Sequence, residues 1–209
     1  MGKGEEVSGA RVEFFFDLSS PWTRLAFANL WPMLERTGEA AMLRPILVGG
    51  VFNAVNPAVY ASREDPNNRR VLHSWKVLSD WARLSGVSMN FPSVHHPAKS
   101  VNAMRMACAL EEDQAALRAF ATAAFESYFG RQENLDDPDV LVAVATSAGL
   151  DGAAIRAASV TDANKLRLRG NTDELVARGG YGSPTIFVDG TDMYFGNDQL
   201  PLVEAALTR

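Results

Sequence analysis

The segment Phe14-Phe15-Phe16-Asp17-Leu18-Ser19-Ser20-Pro21-Trp22-Thr23 constrains this chain more than any other part of it. Residues 12–16 (VEFFF) are short, apolar and aromatic, the pattern of a buried strand. Shortly after, Pro21 suits the first turn of a helix, where its missing N–H costs nothing. Leu25, Phe27, Ala28, Leu30, Trp31 and Leu34 then recur at helical spacing up to Gly38, a natural stop, and Pro32 is expected to kink or shorten that helix. A buried strand that turns at once into a helix sets residues 19–23 at the helix start, where backbone N–H groups lack partners.

Residues 41–48 (AMLRPILV) read as a second strand, with Pro45 near an edge or bulge. Residues 53–68 are polar and proline-punctuated and read as loop or a short helical turn. Helical patterns follow at about 68–85, 99–112, 113–130, 138–149, 151–158 and 161–178. Asp136-Asp137-Pro138 and Thr172-Asp173-Glu174 look like helix starts. Residues 184–189 (PTIFVD) return to strand, Asp189-Gly190 is a hairpin signal, and Met193–Phe195 is its partner. Residues 197–207 form an amphipathic helix with Leu200, Val203 and Leu207 inward. The order is βαβ, a long helical block, then ββα. An α/β thioredoxin-like fold split by a large all-helical insertion has this order. The expected division is a mobile N-terminal tail at 1–10, a first thioredoxin-like part at 11–48, the insertion at 49–178 and a second thioredoxin-like part at 179–209, in one composite domain because both halves of the sheet are needed to bury its faces.

Bulk properties narrow the partner classes. Of the 209 residues 47% are apolar and 22% charged, a globular composition. The formal net charge of −5 argues against a nucleic-acid partner. Residues 1–10 hold two acids and no apolar core of the signal-peptide kind, and no window approaches the roughly 20 apolar residues of a membrane helix. The expectation is a cytoplasmic protein without a membrane partner. Cys108 is the single cysteine, which excludes an intrachain disulfide or a Cys-x-x-Cys pair, and it reads as a small buried hydrophobe. His73, His95 and His96 lack metal-ligand spacing, so no metal is expected. Walker, GxGxxG and GxSxG motifs are absent.

Three places could carry chemistry. Ser20 lies where unpaired N–H groups and the helix dipole favour an anion such as a thiolate, and its hydroxyl adds a donor; Ser19 or Ser20 serves equally well as a helix cap. Ser183-Pro184 follows the glycine-rich run 179–182 and opens a strand; it is either a simple strand entry or a cis peptide whose preceding residue offers its backbone to a ligand. Asn197-Asp198 opens the last helix, as a cap, as the anionic partner of a ligand ammonium group, or as both.

Together these residues resemble the 2-hydroxychromene-2-carboxylate isomerases of the DsbA-like group, which also contains the kappa-class glutathione transferases. The resemblance runs from about Val12 to Leu207 and is carried by FDLSSPW at 16–22, RPILVGGVF at 44–52, DWARLSGVSMNFP at 80–92, VNAMR at 101–105, GSPTIFVDG at 182–190 and FGNDQL at 195–200. It implies glutathione, or another low-molecular-weight thiol, as cofactor. Ser20 falls on the catalytic serine that hydrogen-bonds the thiol sulfur. Ser183, before a cis Pro184, would pair its backbone with the glutathione cysteine, and Asn197 and Asp198 would hold the γ-glutamyl end. Asn56 lies near a motif asparagine in a loop one residue shorter here. Arg70 falls on a basic position suited to the glycyl carboxylate, with His73 where a tyrosine is usual. The common Ser-Pro-Tyr/Phe-Ser is here Ser20-Pro21-Trp22-Thr23, and Trp22 and Phe52 would line the site for a small aromatic carboxylate. The implied activity is cis/trans isomerisation by reversible thiolate addition, in a homodimer. The alternatives are a transferase or peroxidase that consumes glutathione, and a non-enzymatic binding module.

Overall fold

Strand β1 (Val12–Phe16) is hydrogen-bonded on both sides, and its apolar run follows from burial on both faces. In the computed structural model, which describes residues 11–59 and 68–209, four strands form one mixed sheet in the order β2–β1–β3–β4. Strand β2 (Ala41–Pro45) pairs parallel to β1, with Val12 opposite Ala41. Strand β3 (Thr185–Val188) pairs antiparallel to β1, with Phe14 opposite Ile186, and β4 (Asp192–Phe195) closes the hairpin. Asp189 and Gly190 both take positive φ, 49° and 76°, as the tight hairpin turn requires. Pro45 ends the edge strand, where a missing donor is tolerated.

Helix α1 (Pro21–Thr37) follows β1, and α2 (Val48–Val55) follows β2. The insertion supplies α3 (Arg69–Leu84), α4 (Val101–Ala109) and α5 (Gln114–Phe125), which runs into a π-helical turn (Glu126–Gly130). It continues with α6 (Pro138–Ser147), α7 (Gly152–Ser159) and α8 (Asp162–Ala177). After the hairpin a 3₁₀ turn (Asn197–Gln199) leads into α9 (Leu200–Leu207), with Leu200, Val203 and Leu207 buried as the amphipathic pattern predicts. This is the α/β thioredoxin-like arrangement with its helical insertion.

Alternation along β1 sorts the core into two faces. Phe14 and Phe16 point toward α1, α9 and the insertion, whereas Phe15 joins Ile46, Val51, Leu175 and Phe187 under α2 and α8. Phe27 of α1 links the sheet to the insertion, with ring centroids 6.3 Å from Phe14 and 5.2 Å from Phe125. Each such buried ring contributes about 1.5–3 kcal/mol through removal from water. The apolar core therefore runs without a break from strand to insertion.

Three local expectations need correction. The second strand stops at Pro45, and Val48 opens α2 instead of closing β2. Its N–H is taken by the Asp17 carboxyl and that of Leu47 by Thr172, so acceptors distant in sequence start this helix. Pro32 does not shorten α1, which continues to Thr37 with Gly38 as its C-cap; the proline sits on the exposed side, where a lost backbone bond matters least. Thr172-Asp173-Glu174 lies inside α8, whose cap is Thr161, accepting from Asn164 N at 3.3 Å. The proposed tail (1–10) and residues 60–67 of the polar stretch lie outside the described residues.

Gly38 ends α1 in the left-handed region at φ 70°, and a side chain there would meet nothing within 4 Å. Gly38→Ala should therefore lose about 1–2 kcal/mol from backbone strain alone. Gly38→Asn should lose less. Denaturant unfolding of the two variants measures the difference.

Candidate functional site

Ser20 caps α1 in extended conformation and its Oγ accepts from Thr23 N at 3.2 Å. The same hydroxyl donates to the Ser183 carbonyl at 3.0 Å, which joins the helix start to the loop before β3. Ser183 Oγ in turn accepts from Asp17 N at 2.9 Å and lies 2.7 Å from Thr23 Oγ1. Thr185 Oγ1 donates to Gly182 O at 2.9 Å and closes the turn from the other side. The Ser183–Pro184 peptide is cis. Gly182 leaves no room for a side chain, since a Cβ would lie 2.8 Å from the Phe195 ring. In the first turn of α1, Pro21 has no N–H, and the N–H groups of Thr23 and Arg24 are taken by Ser20 Oγ and Ser20 O. Trp22 N–H has no acceptor among the described residues, so it points out of the helix start as a donor.

Beneath this shelf lies Asp17, fully buried. Oδ1 accepts from Ser19 N (2.9 Å) and Ser19 Oγ (2.8 Å); Oδ2 accepts from Val48 N (2.8 Å) and Ser100 Oγ (3.0 Å). Val48 opens α2 and Ser100 precedes α4, so one carboxyl gathers the starts of three helices. Burial pushes its pKa up, and the bonds from Ser19, Val48 and Ser100 pull it only part of the way back. Composition and periodicity gave no reason to single out Asp17. The available signal was an acid closing an aromatic buried strand, where a charged group needs donors. Ser100 and Met104 (whose Sδ accepts from Leu18 N at 3.2 Å) carry no sequence signal either, and Thr23 stands out only as a departure from the common Ser-Pro-Tyr/Phe-Ser, not as a partner of Ser183.

The structure brings together Ser20, Ser183 and Pro184, and Phe52 reaches the same loop, 3.7 Å from the position a Gly182 Cβ would take. Gly196 N–H donates to Pro184 O at 3.2 Å, so the Asn197–Asp198 turn adjoins the loop. Neither residue makes a side-chain cap on its own turn or on α9; Gln199 Oε1 instead holds Phe195 N at 2.8 Å. Asn197 is buried, its Oδ1 accepting from Asn29 of α1 at 2.8 Å. Asp198 is exposed, with Oδ1 folded back over Gly196. Asn56 ends α2, and Arg70 is exposed on the first turn of α3; neither side chain bonds to Ser20, Ser183 or Pro184. The Trp22 ring packs toward Leu25, Leu78 and Ala82, between α1 and α3. Cys108 is buried within α4, and burial beside Glu111 pushes its thiol up to about 12. A groove of about 580 Å³ between α2 and α8 includes Gly50, Ala54, Leu168 and Thr172 but none of the predicted site residues. Gly50 and Ala54 lie on the side of α2 away from Phe52.

The model of the DSBA-like thioredoxin domain matches residues 11–208. A 2-hydroxychromene-2-carboxylate isomerase of Sphingobium xenophagum is 28% identical over 200 residues, covering 94% of this chain and 97% of its own. Glutathione S-transferase kappa 1 of Rattus norvegicus is 26% identical, covering 92% and 88%. A solved structure of a 2-hydroxychromene-2-carboxylate isomerase superposes with a TM-score of 0.76 at 27% identity, covering 95% of this chain and 94% of the other. Both groups are those that the sequence motifs resemble.

The raised Asp17 pKa gives a signed expectation. The folded chain holds this proton more tightly than the unfolded chain, so its stabilising share is complete below the unfolded value of about 4 and is lost as pH rises through the folded value. Asp17→Asn should flatten that part of the stability profile. It should also cost about 1–3 kcal/mol at acid pH, because an amide offers one oxygen where Ser19 N and Val48 N need two. Denaturant unfolding from mildly acid to neutral pH measures both effects; a slope that survives the substitution assigns it to another group.

Proposed function

The chain belongs to the DSBA-like thioredoxin domain family, and we propose that it is a glutathione-dependent isomerase acting on a double bond of an aromatic 2-hydroxychromene-2-carboxylate-type substrate. The observation that carries this reading is the donor set at the start of α1. The Ser20 hydroxyl and the Trp22 N–H, which has no acceptor among the described residues, lie at the positive end of a long helix, and the chain's one cysteine is buried elsewhere, in α4. Such a set suits a thiolate. The relatives named as isomerases, similar along nearly their whole length, support the reaction class.

Glutathione, when bound, supplies a thiolate that adds reversibly to the substrate double bond and so permits rotation about it. The protein's part is to lower the cost of that anion and to position both molecules. Ser20 and Trp22 N–H stabilise the charge. The Ser183 carbonyl, on a loop tied down by Asp17 N–H, Thr23 and Thr185, would accept from the cysteinyl N–H. Asp198, exposed beside that loop, would hold the γ-glutamyl ammonium group, and Arg70 and Asn56 the other end. Phe52 supplies an apolar wall against the Gly182 turn for the aromatic acid. Trp22 would act mainly through its N–H, because its ring already packs against α3.

The kappa-class relative favours a second reading, a transferase that consumes glutathione. Product analysis separates the two: a stable thioether accumulates only under the second.

Ser20→Ala should keep the fold at a cost of about 1 kcal/mol for the lost cap. Its isomerase turnover should fall about 100-fold, the usual effect of removing one donor from a developing anion. Millimolar glutathione should raise the melting temperature of the wild type. Unchanged turnover would remove Ser20 from the mechanism, and an unmoved melting temperature would remove glutathione.

A further inference from the structure

We propose that Ser20 is a ligand-gated donor: its single hydrogen rests on the Ser183 carbonyl and turns to the sulfur of a bound thiol only when an N–H of that ligand replaces it there. The inference rests on the thiol-binding reading above and adds a selection rule to it. Ser20 Oγ is held by two bonds of opposite sense, accepting from Thr23 N at 3.2 Å and donating to Ser183 O at 3.0 Å. A serine hydroxyl has one hydrogen, so any donation to a ligand takes that hydrogen from Ser183 O. The oxygen need not move. Its role as helix cap keeps it in place while the O–H turns about the Cβ–Oγ bond.

Ser183 O cannot follow. Its residue is buried, its side chain is fixed by Asp17 N (2.9 Å) and Thr23 Oγ1 (2.7 Å), and the next carbonyl, Pro184 O, is held by Gly196 N at 3.2 Å. Once the hydroxyl turns away, this carbonyl is left without its donor, which costs about a factor of ten or more in equilibrium. A sulfur within reach of Ser20 Oγ lies no more than about 7 Å from Ser183 O, by the sum of two hydrogen-bond lengths. A nitrogen three bonds from the sulfur, as in an acylated cysteine, spans that gap. Peptide thiols with this N–H therefore receive the Ser20 hydrogen, and simple thiols lacking it do so at a penalty. Ser183 becomes a specificity determinant through its carbonyl, and Ser20 the group that reads whether the carbonyl is occupied.

The test compares glutathione with its depsipeptide analogue, in which an ester oxygen replaces the cysteinyl N–H. Binding is followed by calorimetry, and ionisation of the bound thiol by ultraviolet thiolate absorbance against pH, each relative to the free ligand. In the wild type, glutathione should show about tenfold more thiolate at a given pH than the bound analogue. In Ser20→Ala the two ligands should ionise alike. Equal ionisation in the wild type overturns the gate while leaving the thiol site intact. A difference that persists in Ser20→Ala also overturns it, since the N–H would then act without Ser20. Absence of glutathione binding removes the thiol site and the gate together.

Discussion

The Asp17 carboxyl is the contact on which the rest of the arrangement depends. It closes β1, lies fully buried, and accepts from Ser19 in the turn before α1, from Val48 at the start of α2 and from Ser100 ahead of α4. Helix starts carry unpaired donors and positive dipole ends, and a buried carboxyl needs donors, so each satisfies what the other lacks. Leu47 and Ser100 provide no side-chain cap to their own helices, which makes the distant acid the more important for α2 and α4. Asp17 N–H also holds Ser183 Oγ, so the same residue ties the insertion, the first helix and the loop before β3 to one point.

That convergence builds a helix-start site in which the chain's one cysteine takes no part. Ser20 and Ser183 come from opposite ends of the chain, yet three side-chain bonds set their distance before any ligand arrives. The Ser20 oxygen is thereby fixed in advance, and only its O–H bond has to turn as charge appears. Cys108 lies in the core of α4 with its thiol held in the neutral form, unsuited to redox work.

Much of this was legible in the residues. The strand–helix switch at 12–37, the hairpin at Asp189-Gly190, the inward face of 200–207 and most helices of the insertion follow from period, turn chemistry and caps, which are local properties. The boundary at Pro45–Val48 was not, because Asp17 and Thr172, far away in sequence, start α2. Asn197 and Asp198 looked like caps because they follow a glycine, but Asn29 claims the side chain of the first and Gln199 supplies the local bond. Trp22 stands in the right motif position, yet its ring is drawn into the α1–α3 contact by apolar neighbours that only folding supplies.

By itself, then, the sequence determined the order of elements, the absence of a cysteine pair, and the serine and proline that mark the two halves of the candidate site. These are matters of residue type and short-range spacing, where local backbone preferences decide. Tertiary structure alone decided that Ser20 donates to Ser183, that Thr23 and Asp17 lock the same loop, and that one buried acid gathers three helix starts. Apart from the local Asp17–Ser19 bonds, those contacts join residues 31 to 166 positions apart. No local pattern encodes them, because a buried polar group finds its partners only when the packed chain leaves it no water to bind.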